Sequence, residues 1–372
     1  MKRIILHIGM HKTGSSSIQR SLNGYDDGRV RYADLGTENH SIPIYSMFSD
    51  TRYEKRFFRQ RGIGRAEIDR RTEVYASRLT RELEIDRETL ILSGEDISRI
   101  PADDVPAIRD FLAPRCDEIT VVGYLRDPVA FASSQFQQRV KFDARGIKIP
   151  EPGYRDRFEK FLEVFGPENV ILRDFNRDTL VDGSVVQDLM EIAGIRGADW
   201  PEQVTNESLS DAATRLLFRF NRHGPVTTGC RQALEARKAF VHLMGRVFPG
   251  ASYRLPRALF TRETVDVADL DWLKDAAAID FTDDFAEGAP DLEAARAEME
   301  RPRPEEIERL RHILDARGIK TRSDVTVDAA LSFLFYDVMV QGWKSKTAAR
   351  QARKKARRAA QRKAEAAAAR EG

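Results

Sequence analysis

Residues 3–22, RIILHIGMHKTGSSSIQRSL, constrain the fold of this chain more than any other stretch. Ile4, Ile5, Leu6 and Ile8 form a short β-branched apolar run, the pattern of a buried strand. The run stops at Gly9. Lys12, Thr13, Gly14, Ser15, Ser16 and Ser17 follow, and Ile18 and Leu22 resume at helical spacing. A strand that enters a helix through a glycine-bounded loop presents unpaired helix amides and the positive end of the helix dipole to an oxyanion. Glycine lets the backbone wrap close to such a group. Lys12 adds a point charge, and the serines add short hydroxyl donors. An ordinary serine-rich corner is the alternative, but Lys12 and three consecutive serines have no packing role there.

Gly9 and Gly14 have the separation of a Walker A loop, G-x-x-x-x-G-K-[ST]. The next residue is Ser15, and the lysine stands three places upstream of the Walker position. A kinase or GTPase needs that last lysine on the β/γ-phosphates and a hydroxyl on Mg²⁺. The loop therefore points to a different oxyanion donor and away from a metal-dependent NTPase.

A second anion site lies in EITVVGYLRDPVAFASSQFQQRVK, residues 118–141. Ile119, Val121, Val122, Tyr124 and Leu125 read as a strand that ends at Arg126. Asp127 can cap the next helix, and Pro128 suits its first position. Arg126 thus stands at the carboxyl edge of a strand, where open α/β sheets bind ligands. Ser134 follows eight residues later, two turns along the same helix, so a guanidinium and a hydroxyl can share one phosphate.

Together the two segments resemble the sulfotransferase family. HIGMHKTGSSSIQ is similar to that family's motif for the 5′-phosphosulfate of 3′-phosphoadenylyl sulfate (PAPS), and YLRDPVAFASS to its 3′-phosphate motif. The K-T-G variant looks closer to Golgi-type and bacterial carbohydrate sulfotransferases than to cytosolic small-molecule enzymes. The resemblance covers residues 1 to about 200 and names no acceptor. It implies that Lys12 holds the bridging and sulfuryl oxygens, that Thr13, Gly14, Ser15, Ser16 and Ser17 bind the 5′-phosphate, and that Arg126 and Ser134 bind the 3′-phosphate. It also implies a glycan or glycan-bearing acceptor and release of 3′-phosphoadenosine 5′-phosphate.

Sulfuryl transfer asks for in-line positioning, charge stabilisation and a base to take the acceptor's proton; fixed cations and amides supply the field, so no metal is expected. Glu95 is the first candidate for the base. It follows the apolar run 89–93 through Gly94, and LSGEDISR resembles an S-x-E stretch of bacterial members. His11, beside Lys12, is the second, and His40, in the expected acceptor-side loop ENHSIPIYSMF, the third. His7 reads as a packed core histidine. Gln135, Gln137, Gln138, Arg139 and Lys141 read as a solvated polar face or as contacts to a polar acceptor. Tyr124 and Phe136 read as core, or as flanks for adenine.

Strand-like runs at 3–8, 29–33, 89–93, 119–125 and 169–173 alternate with helical patterns at 15–23, 65–84, 103–113, 128–144, 155–165 and 184–193. This alternation predicts an α/β, P-loop NTPase-like three-layer fold with a central, mainly parallel sheet. Helical additions follow at 208–222, 229–246, 304–317 and 327–341. The expected divisions are a P-loop domain over 1–250, an acidic, loop-rich segment with helices over 251–343, and a basic Ala/Lys/Arg tail over 344–372. Acceptor contacts are expected from 35–60, 140–155 and parts of 200–300.

The overall net charge of +2 hides a division: residues 344–372 carry +9 and the first 343 carry −7. The tail has no large apolar residue, so it is a solvated helix or a disordered arm. Its charge suits an anionic membrane surface, a nucleic acid or an acidic polysaccharide, but it has no aromatic residue for base stacking and no apolar face for bilayer insertion. Cys116 and Cys230 lack metal-ligand spacing. With no membrane-spanning run and a strand that begins almost at once, the expected location is cytoplasmic, with peripheral attachment at the inner membrane surface. Two rival readings are a P-loop kinase or NTPase and a non-catalytic module that holds a polyanion through its tail. The oligomeric state is open.

Overall fold

The computed structural model describes residues 2–195, 208–227 and 230–371. Five strands lie among them: β1 (Arg3–His7), β2 (Val30–Tyr32), β3 (Thr89–Ser93), β4 (Glu118–Leu125) and β5 (Val170–Asp174). The helices are α1 (Ser15–Leu22), α2 (Ser41–Phe48), α3 (Arg56–Arg59), α4 (Arg65–Glu84), α5 (Val105–Leu112), α6 (Pro128–Phe142), α7 (Tyr154–Phe165) and α8 (Val185–Ile192). They continue as α9 (Asp211–His223), α10 (Arg231–Val247), α11 (Val267–Ala277), α12 (Leu292–Glu300), α13 (Pro304–Ala316) and α14 (Val327–Glu371).

The strands form one sheet in the order β2-β3-β1-β4-β5, and every pairing is parallel. Central parallel strands are covered on both faces, which is why they read as unbroken apolar runs. All five residues of β3 are buried, as are Ile4, Ile5 and Leu6 of β1. On one face Ile5, Ile91, Val122 and Tyr124 pack with Ile18 and Leu22 of α1 and with Val185, Val186, Leu189 and Met190 of α8. α7 packs on β4 and β5 from the other face, with α5 beside it. The protein is α/β with a five-stranded parallel sheet between helical layers, as the alternating pattern predicts.

The chain leaves β1 toward β2 on one side and leaves β4 toward β5 on the other. β1 and β4 are neighbours in register, His7 opposite Val122. Their carboxyl ends therefore form the switch point where open α/β sheets leave a crevice.

The chain groups into two compact units, neither a single stretch of sequence. The first comprises the described residues of Met1–Ala132, Pro150–Glu207 and Phe260–Pro290, and holds the sheet. The second comprises those of Ser133–Ile149, Ser208–Leu259 and Asp291–Gly372. In the second, Gln137 is buried rather than solvated: its side chain accepts from Leu209 N–H at 2.9 Å and donates to Tyr253 O at 2.9 Å. Arg237 and Asn221 both donate to the Val140 carbonyl. Of the polar face expected along α6, Gln137 is thus a buried clamp on Leu209 and Tyr253.

Two expectations are corrected. The segment around His40 is not a loop: Ser41–Phe48 is helical, with Ser41, Pro43, Ile44 and Ser46 buried. The acidic segment 251–343 carries two helices beyond those expected, α11 and α12, each opened by an aspartate, Asp266 or Asp291, that accepts a backbone N–H. The basic tail continues α14 as helix to Glu371. Part of the expected acceptor segment, residues 200–207, and position 229 of an expected helix lie outside the described residues. Cys116 and Cys230 are free thiols. No helix among the described residues is long and apolar enough to cross a membrane.

Candidate active site

The loop after β1 is wound by three left-handed residues, Gly9 at φ 29°, Lys12 at φ 73° and Gly14 at φ 75°. A non-glycine residue at such a φ, here Lys12, is uncommon and held only by its surroundings. Thr13, fully buried, pins the loop by donating its hydroxyl to Met10 O at 2.6 Å. Gly14 is the N-cap of α1 and has no side chain to cap with. Ser17 N–H makes the first intrahelical bond, to Gly14 O at 2.8 Å, so the amides of Ser15 and Ser16 precede the ladder.

The loop is tight. A Cβ on Gly9 would lie 2.8 Å from Ser15 Oγ and 2.9 Å from His7 Nε2. Both of those atoms are buried and, among the described residues, have no hydrogen-bond partner. A buried hydroxyl without a partner costs about 1–3 kcal/mol, so Ser15 at the helix start suits an external acceptor such as a phosphate oxygen. His7 is different. Its Nδ1 lies 2.8 Å from Ser93 Oγ, and burial pushes its imidazole down to about 3, so it stays neutral in the core.

The sheet order brings Arg126, just past β4, beside this loop. Arg126 Nη1 donates to Lys12 O at 2.7 Å. Its guanidinium lies 5.7 Å from the Phe175 ring centroid. Phe175 and Val185 also close on Gly14, where a Cβ would come within 3.0 Å and 2.7 Å of them. Tyr154 OH donates to Arg126 O at 2.5 Å. Asp127 Oδ1 accepts from Ala130 N–H at 2.9 Å and caps α6. The two anion motifs, 114 residues apart, therefore meet through the Lys12 carbonyl. Ser134 lies two turns along α6 and is half-buried.

Glu95 and His11 are in contact. After β3, Glu95 Oε2 lies 3.4 Å from His11 Nδ1, and Asp96 Oδ1 lies 3.2 Å from His11 Nε2. Lys55 Nζ lies 3.3 Å from Asp96 Oδ2 and 3.7 Å from the Tyr45 ring centroid. Asp96 N–H donates to Ser41 Oγ at 3.0 Å. The hydrogen bonds to Asp96 and Glu95 push the His11 imidazole up to about 9, so it is a cation at neutral pH. Burial would raise the Asp96 carboxyl, but His11 and Lys55 hold it well below the usual carboxylate range. A cationic His11 donates and orients; it does not take a proton at pH 7. His40 is ruled out as a base by its position. It is fully buried, its Nδ1 accepts from Ser93 N–H at 3.1 Å, its ring lies 4.8 Å from Tyr32, and burial pushes it down to about 4.

No family model matches the chain. An uncharacterized protein of Archaeoglobus fulgidus is 27% identical over 141 residues, which is 36% of this chain. The match spans 38% of that relative's length. Among solved structures, a sulfotransferase from Alicyclobacillus acidocaldarius is similar over 64% of this chain and 96% of its own, with 16% identity and a TM-score of 0.37.

Three residues of this region were not among those singled out from sequence. Asp96 had a signal, since it adjoins Glu95. Lys55 and Tyr154 had none: they reach the site from α2–α3 and α7, through packing that no local pattern announces. Tyr124 and Phe136 are fully buried, and Tyr124 OH donates to Asp188 Oδ2 at 2.7 Å, so both are core.

Proposed function

We propose that this protein transfers a sulfuryl group from PAPS to a hydroxyl or amine of a carbohydrate acceptor. The observation that carries the reading is the hydrogen bond from Arg126 Nη1 to Lys12 O, which joins both phosphate motifs into one cationic corner at the switch point. The buried Ser15 hydroxyl, which has no hydrogen-bond partner among the described residues, and the close fit around Gly9 suit an anionic ligand there. PAPS, when bound, supplies the sulfuryl group and a phosphate leaving group.

The chain's own residues have separable tasks. Thr13, Gly14, Ser15, Ser16 and Ser17 hold the 5′-phosphate through amides and hydroxyls. Lys12 neutralises charge on the bridging oxygen. Arg126 and Ser134 hold the 3′-phosphate. Glu95 takes the acceptor's proton, and the His11 cation fixes the carboxylate's orientation while Asp96, itself paired with Lys55, holds the imidazole. Ser15 in place of a Walker lysine, and Arg126 where a Walker B acid would end β4, speak against a kinase.

Calorimetry with 3′-phosphoadenosine 5′-phosphate, free of metal, beside ATP with Mg²⁺, tests the reading. The expected result is selective, metal-independent binding that Arg126→Ala weakens on the order of 10- to 100-fold, the range for a lost charge-assisted bond. Preference for Mg-ATP, or no binding, refutes it.

A further inference from the structure

α14 carries two apolar faces. One is buried within the second unit through Val327, Ala330, Leu331, Leu334, Phe335 and Val338. On the opposite side Phe333, Tyr336, Val340 and Trp343 are 40 to 66% exposed. Their spacing of 3, 7 and 10 residues from Phe333 sets all four on one stripe roughly 15 Å long. A helix at the surface of a globular unit ordinarily presents polar residues there, and an exposed row of Phe, Tyr, Val and Trp calls for a partner.

A basic segment follows that stripe in the sequence, with Arg350, Lys354 and Arg357 among its cations. The segment they belong to, 344–372, carries +9. Aromatic anchor and cationic run are thus consecutive along the chain.

We propose that this face of α14 docks the chain onto an anionic phospholipid surface. Trp343 and Tyr336 have the amphipathic rings that settle at headgroup level, and Phe333 and Val340 add apolar area with no polar handle. The cations that follow are drawn to phosphate and serine headgroups. Neither signal alone holds a protein firmly; two together do. A single-stranded nucleic acid would be met by aromatics interleaved with cations for base stacking. Here the aromatics end at Trp343 and the cations begin at Lys344. The inference uses no residue of the sulfuryl-transfer site and stands or falls separately from it.

The full chain is mixed with phosphatidylcholine vesicles and with vesicles that also contain phosphatidylserine, at low and high salt, and bound protein is pelleted. Binding is expected only to the anionic vesicles, with loss at high salt and a blue shift of Trp343 emission. Each removed cation is expected to weaken binding about fivefold, so Arg350→Gln, Lys354→Gln and Arg357→Gln together should lower it on the order of 100-fold. Tyr336→Ser with Trp343→Ser should weaken binding and leave the unfolding midpoint unchanged, since both side chains are exposed. Absence of binding to anionic vesicles at low salt, equal binding by the variants, or capture by heparin or single-stranded DNA in place of vesicles would overturn the proposal.

Discussion

Replacing His11 by glutamine should change the pH dependence of stability in a way set by the geometry around it. The imidazole sits between Glu95 and Asp96 at 3.4 Å and 3.2 Å, with its side chain 28% exposed. Those carboxylates raise its pKa from 6.5 to about 9. A rise of that size is worth on the order of 3 kcal/mol. The folded value lies above the unfolded one. The stabilisation is therefore fully present below pH 6.5 and fades as pH climbs through about 9. Asp96 has the opposite sign: its depressed pKa contributes above the ordinary carboxylate range and is lost only in acid, so it stays constant across this window. Urea unfolding of wild type and His11→Gln at a series of pH values reads the difference directly. The gap should be largest near pH 6 and close by about pH 10. A gap that is flat or grows with pH would refute the ion-pair account and return His11 to the pool of bases.

Two further substitutions test the loop and the second unit. Gly9→Ala forces a left-handed φ on a residue with a Cβ and drives that Cβ to 2.8 Å from Ser15 Oγ, a strain of about 1–3 kcal/mol, so 3′-phosphoadenosine 5′-phosphate binding should fall at least tenfold on calorimetry. Unchanged affinity would mean the cradle is elsewhere. Glu306 and Arg215 are a buried ion pair in the second unit, and Arg215 also donates to Arg301 O. Glu306→Ala strands the guanidinium and should cost about 3–5 kcal/mol. Hydrogen exchange should then quicken in α9 and α13 before the sheet; uniform exchange would show that the pair is not what holds those helices.

The loop after β1 and the turn into α6 were legible in the sequence because each is a local run. Gly9 to Ser17 and Arg126 to Ser134 are short runs in which each residue's neighbours along the chain are its neighbours in space. The five strands were legible for a related reason. A central parallel strand is buried on both faces, so apolar side chains fill every position, and residues 3–7 and 89–93 could be little else. The helix Ser41–Phe48 was not legible. It is buried on most of its surface and shows no polar face to betray a helical period, and Pro43 in its first turn looks like a loop residue. Acidic residues hid α11 and α12 in the same way, since a capping aspartate and a solvated loop look alike in a list of charges.

What the sequence determined alone was the set of strands, the glycine-bounded loop after β1 and the arginine that follows β4. Tertiary structure decided which of these meet. The order β2-β3-β1-β4-β5 puts β4 against β1, and only then does Arg126 reach the Lys12 carbonyl. It also decided protonation. His11 reads as a base until Glu95 and Asp96 close on it, and His40 reads as accessible until Tyr32 and Ser93 cover it. Secondary structure follows from side-chain patterns that a few neighbours can express. A pKa follows from charges and solvent arranged in three dimensions, and residues like Lys55 and Asp96, 41 positions apart, become partners only when the chain has folded.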